Sequence, residues 1–112
     1  MRAATLNAGV GDDILIGGWT NYDLSSSGLT YDQKLAALEA IMAEWGSPGS
    51  YATRLNALAG SLNTSTVHDN SLNTTAVEDQ LEGHTQANDW FFAGLNDQVT
   101  GKNHNDVITA IS

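Results

Sequence analysis

The residues best placed to do chemistry are aspartates set in glycine- and asparagine-rich turns. In Ala8-Gly9-Val10-Gly11-Asp12-Asp13-Ile14-Leu15-Ile16-Gly17-Gly18, a flexible turn runs into a short apolar strand and then into a glycine pair. Glycine reaches backbone conformations closed to other residues, so such a turn can aim several carbonyl oxygens at one point, where an aspartate adds a carboxylate. Oxygens gathered in this way suit a hard cation, calcium above all. Gly9, Gly11, Asp13, Gly18, Asn21 and Asp23 are therefore the first candidate calcium set, with Asp13 the leading ligand and Asp12 at a variable, exposed position. The bland alternative is a glycine turn with a solvated aspartate.

One glycine-rich turn proves little, but the pattern recurs. Asp79-Gln-Leu-Glu-Gly83, Asp89-Trp-Phe-Phe-Ala93-Gly94, Asp97-Gln-Val-Thr-Gly101 and Asp106-Val-Ile-Thr-Ala110 each read aspartate, any residue, large apolar, any residue, small. Their aspartates are 10, 8 and 9 residues apart, close to one strand plus one turn per unit. Asp89, Asp97 and Asp106 extend the list of candidate metal ligands, and Asp79 heads the first of these units. Their turns have lost glycines; Asn88, Asn96, Asn103 and Asn105 supply part of the same freedom, since asparagine tolerates the left-handed region. Side-chain capping hydrogen bonds are the alternative to an ion at these turns.

The first turn resembles the nonapeptide Gly-Gly-x-Gly-x-Asp-x-(large apolar)-x of repeats-in-toxin (hemolysin-type) calcium-binding regions, with Ala8 in place of the first glycine and Leu15 at the large apolar position. Asn88-Asp89-Trp90-Phe91-Phe92 and Asn105-Asp106-Val107-Ile108 look like the closing turns of such segments at the C-termini of large secreted bacterial proteins, including those of planctomycetes. The resemblance covers about residues 7–23 and 78–111. It implies a calcium-binding structural or interaction module of a secreted protein, folded or stabilised by calcium, and a right-handed parallel β-roll or short β-helix.

Histidines offer a competing chemistry. His84 and His104 lie in the turns before Asp89 and Asp106, two units apart, so in a roll both fall on one edge; His68-Asp69 adds an imidazole and a carboxylate. Such a group suits a transition metal and a metal-activated water, giving a very small phosphoesterase-like hydrolase. The plainer reading is three surface histidines in polar loops. There is no Gly-x-Ser-x-Gly elbow to support a serine hydrolase.

These sites need elements to position them. Leu24 to Gly28 reads as a linker. Thr30 and Gln33 form a capping-box pattern, and Leu35, Leu38, Ile41, Met42 and Trp45 recur at helical spacing up to Gly46. Ser47-Pro48 opens a second helix with Tyr51, Leu55, Leu58 and Leu62 on one face. The chain thus divides into a first turn and rung (7–23), a helical hairpin insertion (30–62) and remaining rungs (64–111), with Thr66-Val67-His68 read as a strand. Beside the inward apolar position, the strands carry Ile14, Ile16, Trp90, Phe92 and Val107, so an outer sheet face is apolar and needs a cover. The hairpin is expected to supply it, and any remaining apolar surface favours a homodimer. Trp19, Trp45 and Trp90 are read as packing residues. Asn63-Thr-Ser65 and Asn73-Thr-Thr75 are read as turns, not glycosylation sites.

Composition limits the rest. With 112 residues a single domain is expected, and the absence of cysteine excludes disulfides, thiolate catalysis and thiolate zinc sites. The net charge of −9, from 13 acidic and four basic residues, disfavours nucleic acid and anionic membranes and makes divalent cations natural counterions. No segment is long and apolar enough to span a membrane, and Met1 to Leu6 is too short and polar for a signal peptide, so export requires a signal outside this chain.

Overall fold

A computed structural model of the protein describes residues 5–9, 11–23, 28–69, 78–103 and 105–112. Its elements are β1 (Thr5–Asn7), β2 (Ile14–Ile16), β3 (Gly18–Thr20), α1 (Tyr31–Trp45), α2 (Tyr51–Leu58), β4 (Val67–Asp69), β5 (Gln80–Glu82), β6 (Trp90–Ala93), β7 (Gln98–Thr100) and β8 (Val107–Ala110). The result is an α+β fold in which two parallel three-stranded sheets, β1-β5-β7 and β2-β6-β8, stand beside two helices.

Successive strands from β5 to β8 alternate between the two sheets. The aspartate-led units therefore stack on the next unit but one. Leu6, Leu81 and Val99 align in the first sheet, and Leu15, Phe91 and Ile108 in the second. Because strand side chains alternate between faces, these two columns share one side of their sheets, and all their members except the exposed Ile108 form one apolar cluster with Ala8 and Ala93. Leu81 and Phe91 at its centre are fully buried.

The neighbouring positions supply the other face of the second sheet. Trp90 and Phe92 form a second cluster with Leu58, Leu62, Val67 and Ile111, flanked by Ile14, Ile16, Ile41, Trp45, Leu55 and Val107. The helical segment thus covers the apolar outer face, as the strand pattern requires. Burying Phe91 and Phe92 contributes on the order of 2–3 kcal/mol each, one from each side of the same strand.

Local signals start the helices. Thr30 Oγ1 accepts the Gln33 amide and Gln33 Oε1 accepts the Thr30 amide, closing the capping box. The second helix begins later than Ser47-Pro48, with Ser50 as its cap accepting the Thr53 amide, and it ends at Leu58, leaving Leu62 in the following turns. The inward face of α1 carries Leu38, Ile41 and Trp45, and the same face one turn earlier brings Lys34 to 4% exposure. Leu35 and Met42 share the adjacent face and are exposed. Helical periodicity placed all five apolar residues in one stripe; the contact with the sheet uses a narrower one.

Two expectations are corrected. Residues 18–20 and 67–69 are not rungs: β3 and β4 pair antiparallel, with Gly18 opposite Asp69. A Cβ on Gly18 would lie 1.8 Å from the His68 carbonyl oxygen, so this close approach depends on glycine. The other correction concerns the closed form of the architecture, since no closed or solenoid β-helix is present among the described residues. Between β2 and β5 the chain leaves the parallel stack for the β3–β4 pair and both helices. The linker residues 24–27 and the sequon at Asn73 lie outside the described residues.

Candidate functional site: two aspartate edges

Asp13, Asp89 and Asp106 each precede a strand of the second sheet and stack in register along one edge. Every carboxylate takes a backbone amide from its own turn at Oδ2: Gly9 donates to Asp13 at 2.8 Å, His84 to Asp89 at 3.0 Å and Asn103 to Asp106 at 3.0 Å. At Oδ1 the acceptor serves the preceding rung. The Asp13 amide donates to Asp89 at 2.9 Å, and the Asp89 amide donates to Asp106 at 2.8 Å. The backbone N–H groups that a strand start leaves open are thereby satisfied by the aspartates themselves.

Asp89 is the keystone of this edge and is fully buried. Burial pushes its pKa up, with the charges of Asp106 and Asp13 acting in the same direction; the two donated amides oppose the shift. The helices are tied to the same edge. Tyr51 donates its hydroxyl to the Asp89 carbonyl at 2.7 Å, and burial together with nearby carboxylates pushes that phenol up to about 12. Trp45 Nε1 donates to the Asp12 carbonyl at 2.9 Å. Arg54 pairs with Asp12 at 2.7 Å and lies over the Trp45 ring, while the other Asp12 oxygen accepts the Asn88 amide at 2.9 Å.

Asp79 and Asp97 precede the strands of the first sheet and form the opposite edge. The same rule operates there: the Asp79 amide donates to Asp97 Oδ1 and the Gly94 amide to Asp97 Oδ2, at 2.9 and 2.8 Å. Here a further carboxylate intrudes. Asp69, at the end of β4, lies directly against Gly94, where an added Cβ would be 2.2 Å from the carboxylate carbon. Its Oδ1 is buried with no hydrogen-bond partner among the described residues. Burial raises the pKa of Asp97, and the charges of Asp69 and Asp79 raise it further against the two amides.

The first calcium set is split between these edges. Gly9 and Asp13 meet in one turn, whereas Gly17 and Gly18 follow β2 at its other end, where Gly17 approaches Asp97. Asn21 engages His68 Nε2 at 2.9 Å through its Oδ1, and Asp23 accepts the Thr20 hydroxyl at 2.8 Å. Neither Gly9 nor Gly11 uses the left-handed region; positive φ occurs among the described residues only at Gly28 and Gly101. The asparagines do not use it either. Asn103 instead accepts the Asn105 amide at its Oδ1 and donates from Nδ2 to the Ala87 carbonyl across the stack.

The histidines do not gather. His68 stacks on Trp19 and bonds Asn21, while His84 sits in the turn before Asp89 and accepts the Gln86 amide at Nδ1. Asp69, proposed as their carboxylate partner, lies at the Asp97 edge. His104 lies outside the described residues, and among those described no three His, Asp or Glu side chains converge in metal-holding geometry.

Two residues carry more than their sequence context announced. Asp12 stood at a motif position where any residue is accepted, yet it joins the turn, α2 and the next rung. Asp69 carried no turn signal at all; only the antiparallel pairing of β4 brings it to the second edge. No family model, curated protein or solved structure matches the chain.

Proposed function

We propose that this chain is a structural and interaction module of an exported bacterial protein, a short roll whose turns are held by carboxylate-to-amide ladders in place of a row of ions. The observation that carries this reading is the paired acceptance at Asp89, Asp97 and Asp106, each with both oxygens occupied by backbone amides. The alternation of β5 to β8 between two sheets supports the roll, and the likeness of residues 8–16 to exported calcium-binding repeats supports the cellular setting. Aspartates committed in this way are poor additional ligands, so the second aspartate set does not fit a calcium row. The test is melting with calcium removed. In excess chelator the protein is expected to keep its far-UV circular dichroism and melt cooperatively; an unfolded chain in chelator would overturn the reading.

A narrower calcium role has its own support in the orphaned Asp69 oxygen. Asp69 keeps an uncommitted oxygen at this edge, and a calcium ion bound through it would neutralise the buried charge beside Asp97. At a hundredfold excess over its dissociation constant, an ion bound only to the folded state adds about 2.7 kcal/mol. Wild type should therefore melt higher in calcium and Asp69→Asn should not respond. An equal response in both would place the ion elsewhere. The hydrolase alternative has no comparable support, because His68 is engaged by Trp19 and Asn21 while His84 accepts the Gln86 amide in the turn before Asp89.

A further inference from the structure

We infer that the two ends of the parallel stack are complementary and that a second copy of this chain docks head to tail, the β7–β8 end of one copy on the β1–β2 end of the next.

The apolar column of the second sheet is left exposed at the β8 end. Leu15, Phe91 and Ile108 are successive members of one column, 5% and 0% exposed for the first two and 45% for the third. Ile108 is apolar and in register with Phe91, and among the described residues no strand pairs with the outer side of β8. Leu95, in the turn before β7, is 96% exposed at the same end. At the other end, between β1 and β2, a cleft of about 270 Å³ is lined by Leu6, Ala8, Ile14, Leu15 and Ile16. One end thus presents apolar side chains, and the other a cleft whose apolar walls are joined by Asn7, Gly9 and Asp13.

The aspartate ladder fixes the direction. Within the chain each rung donates its aspartate amide to Oδ1 of the next rung, Asp13 to Asp89 and Asp89 to Asp106. The last donor, the Asp106 amide, turns back to the Asn103 carbonyl of its own turn at 3.2 Å. The first acceptor, Asp13 Oδ1, receives no hydrogen bond among the described residues; only its Oδ2 is engaged, by Gly9. Donor and acceptor match in the order that continues the ladder from Asp106 of one copy to Asp13 of the next. Both sheets are parallel, so the same juxtaposition extends β8 with β2 and β7 with β1. Such a contact is heterologous and leaves an open end on each copy, so it adds further copies as concentration rises. The net charge of −9 opposes it and salt screens that repulsion.

The experiment uses sedimentation equilibrium at high salt over a wide concentration range, with two variants that each block one end. Ile108→Lys places a charge on an exposed position of the β8 end. Gly9→Arg fills the cleft, where an added Cβ meets only Asp13 Oδ2 at 3.8 Å, and it caps the free acceptor. Both sites are exposed, and both variants should keep the wild-type circular dichroism. Wild type is expected to rise in weight-average mass above its 11.8 kDa monomer, while each variant alone stays monomeric. Mixed together, the variants should form a dimer of about twice the monomer mass, since each retains the end the other lacks. A wild type of constant mass, a blocked variant that still associates, or a mixture that stays monomeric would each overturn the head-to-tail contact; association of both variants would point to a side-by-side contact through the helices.

Discussion

The two edges of the stack use the same aspartate rule and end in different electrostatic states. On the Asp13–Asp89–Asp106 edge, the helical cover contributes a cation, a phenol and an indole, so Asp12 is paired and the Asp89 carbonyl is bonded. On the Asp79–Asp97 edge, what arrives from outside the stack is another carboxylate, Asp69, with one buried oxygen left unpartnered among the described residues. A repeated turn motif satisfies its own amides wherever it occurs. Whether the site is then electrostatically closed or open depends on which neighbour the rest of the chain lays against it.

The largest test of that contrast is at its centre. Asp89→Ala should leave the part-buried amides of Asp13 and His84 without acceptors, at about 1–3 kcal/mol each. Asp13→Ala frees only the exposed Gly9 amide and should cost well under about 1 kcal/mol. Urea unfolding of both variants checks the gradient, and equal losses would mean that the ladder is not what holds the rungs. Next in size, Arg54→Ala should cost about 1–2 kcal/mol, since it removes the Asp12 pair and the packing over Trp45 while leaving the Asn88 amide in place. If it proved silent, the cover would be held by apolar contact alone.

Acidity should separate the edges more gently. The folded-state pKa values of Asp89 and Asp97 are raised, so between the unfolded carboxylate value and the folded one the native state binds more protons than the unfolded chain. Stability from these groups is therefore greatest below that window and declines as pH rises through it. Thermal midpoints should increase on acidification from neutrality towards the ordinary carboxylate range, and Asp69→Asn should flatten the part that comes from the Asp97 edge. A midpoint that falls steadily over this range would contradict both shifts. The smallest effect belongs to a site remote from either edge: Thr30→Ala removes the helix cap and should cost about 1 kcal/mol, with no change in the response to calcium or pH.

Much of this was legible in residue order. Leu15, Leu81 and Phe91 are inward because they sit two residues after an aspartate in a strand of period two. The apolar flanks Ile14, Ile16, Trp90 and Phe92 called for a cover, and the helices supply it. The capping box at Thr30 and Gln33 is local and forms as written. Other features were not legible for equally physical reasons. Gly18, Asn21 and Asp23 continue the first motif in sequence, but antiparallel pairing with β4 carries them away from Asp13. Lys34 is buried because the helix rotates to seat Ile41 and Trp45.

Sequence by itself determined the periodic placement of aspartate and large apolar residue, because turn chemistry and strand alternation act over a few residues and need no distant partner. Only the tertiary structure decided that Asp89, Asp97 and Asp106 each serve the amide of another rung, that Asp12 meets Arg54 and that Asp69 faces the Asp97 edge. Those contacts join residues 17 to 76 positions apart, and local propensity does not encode how a chain returns to itself over such distances.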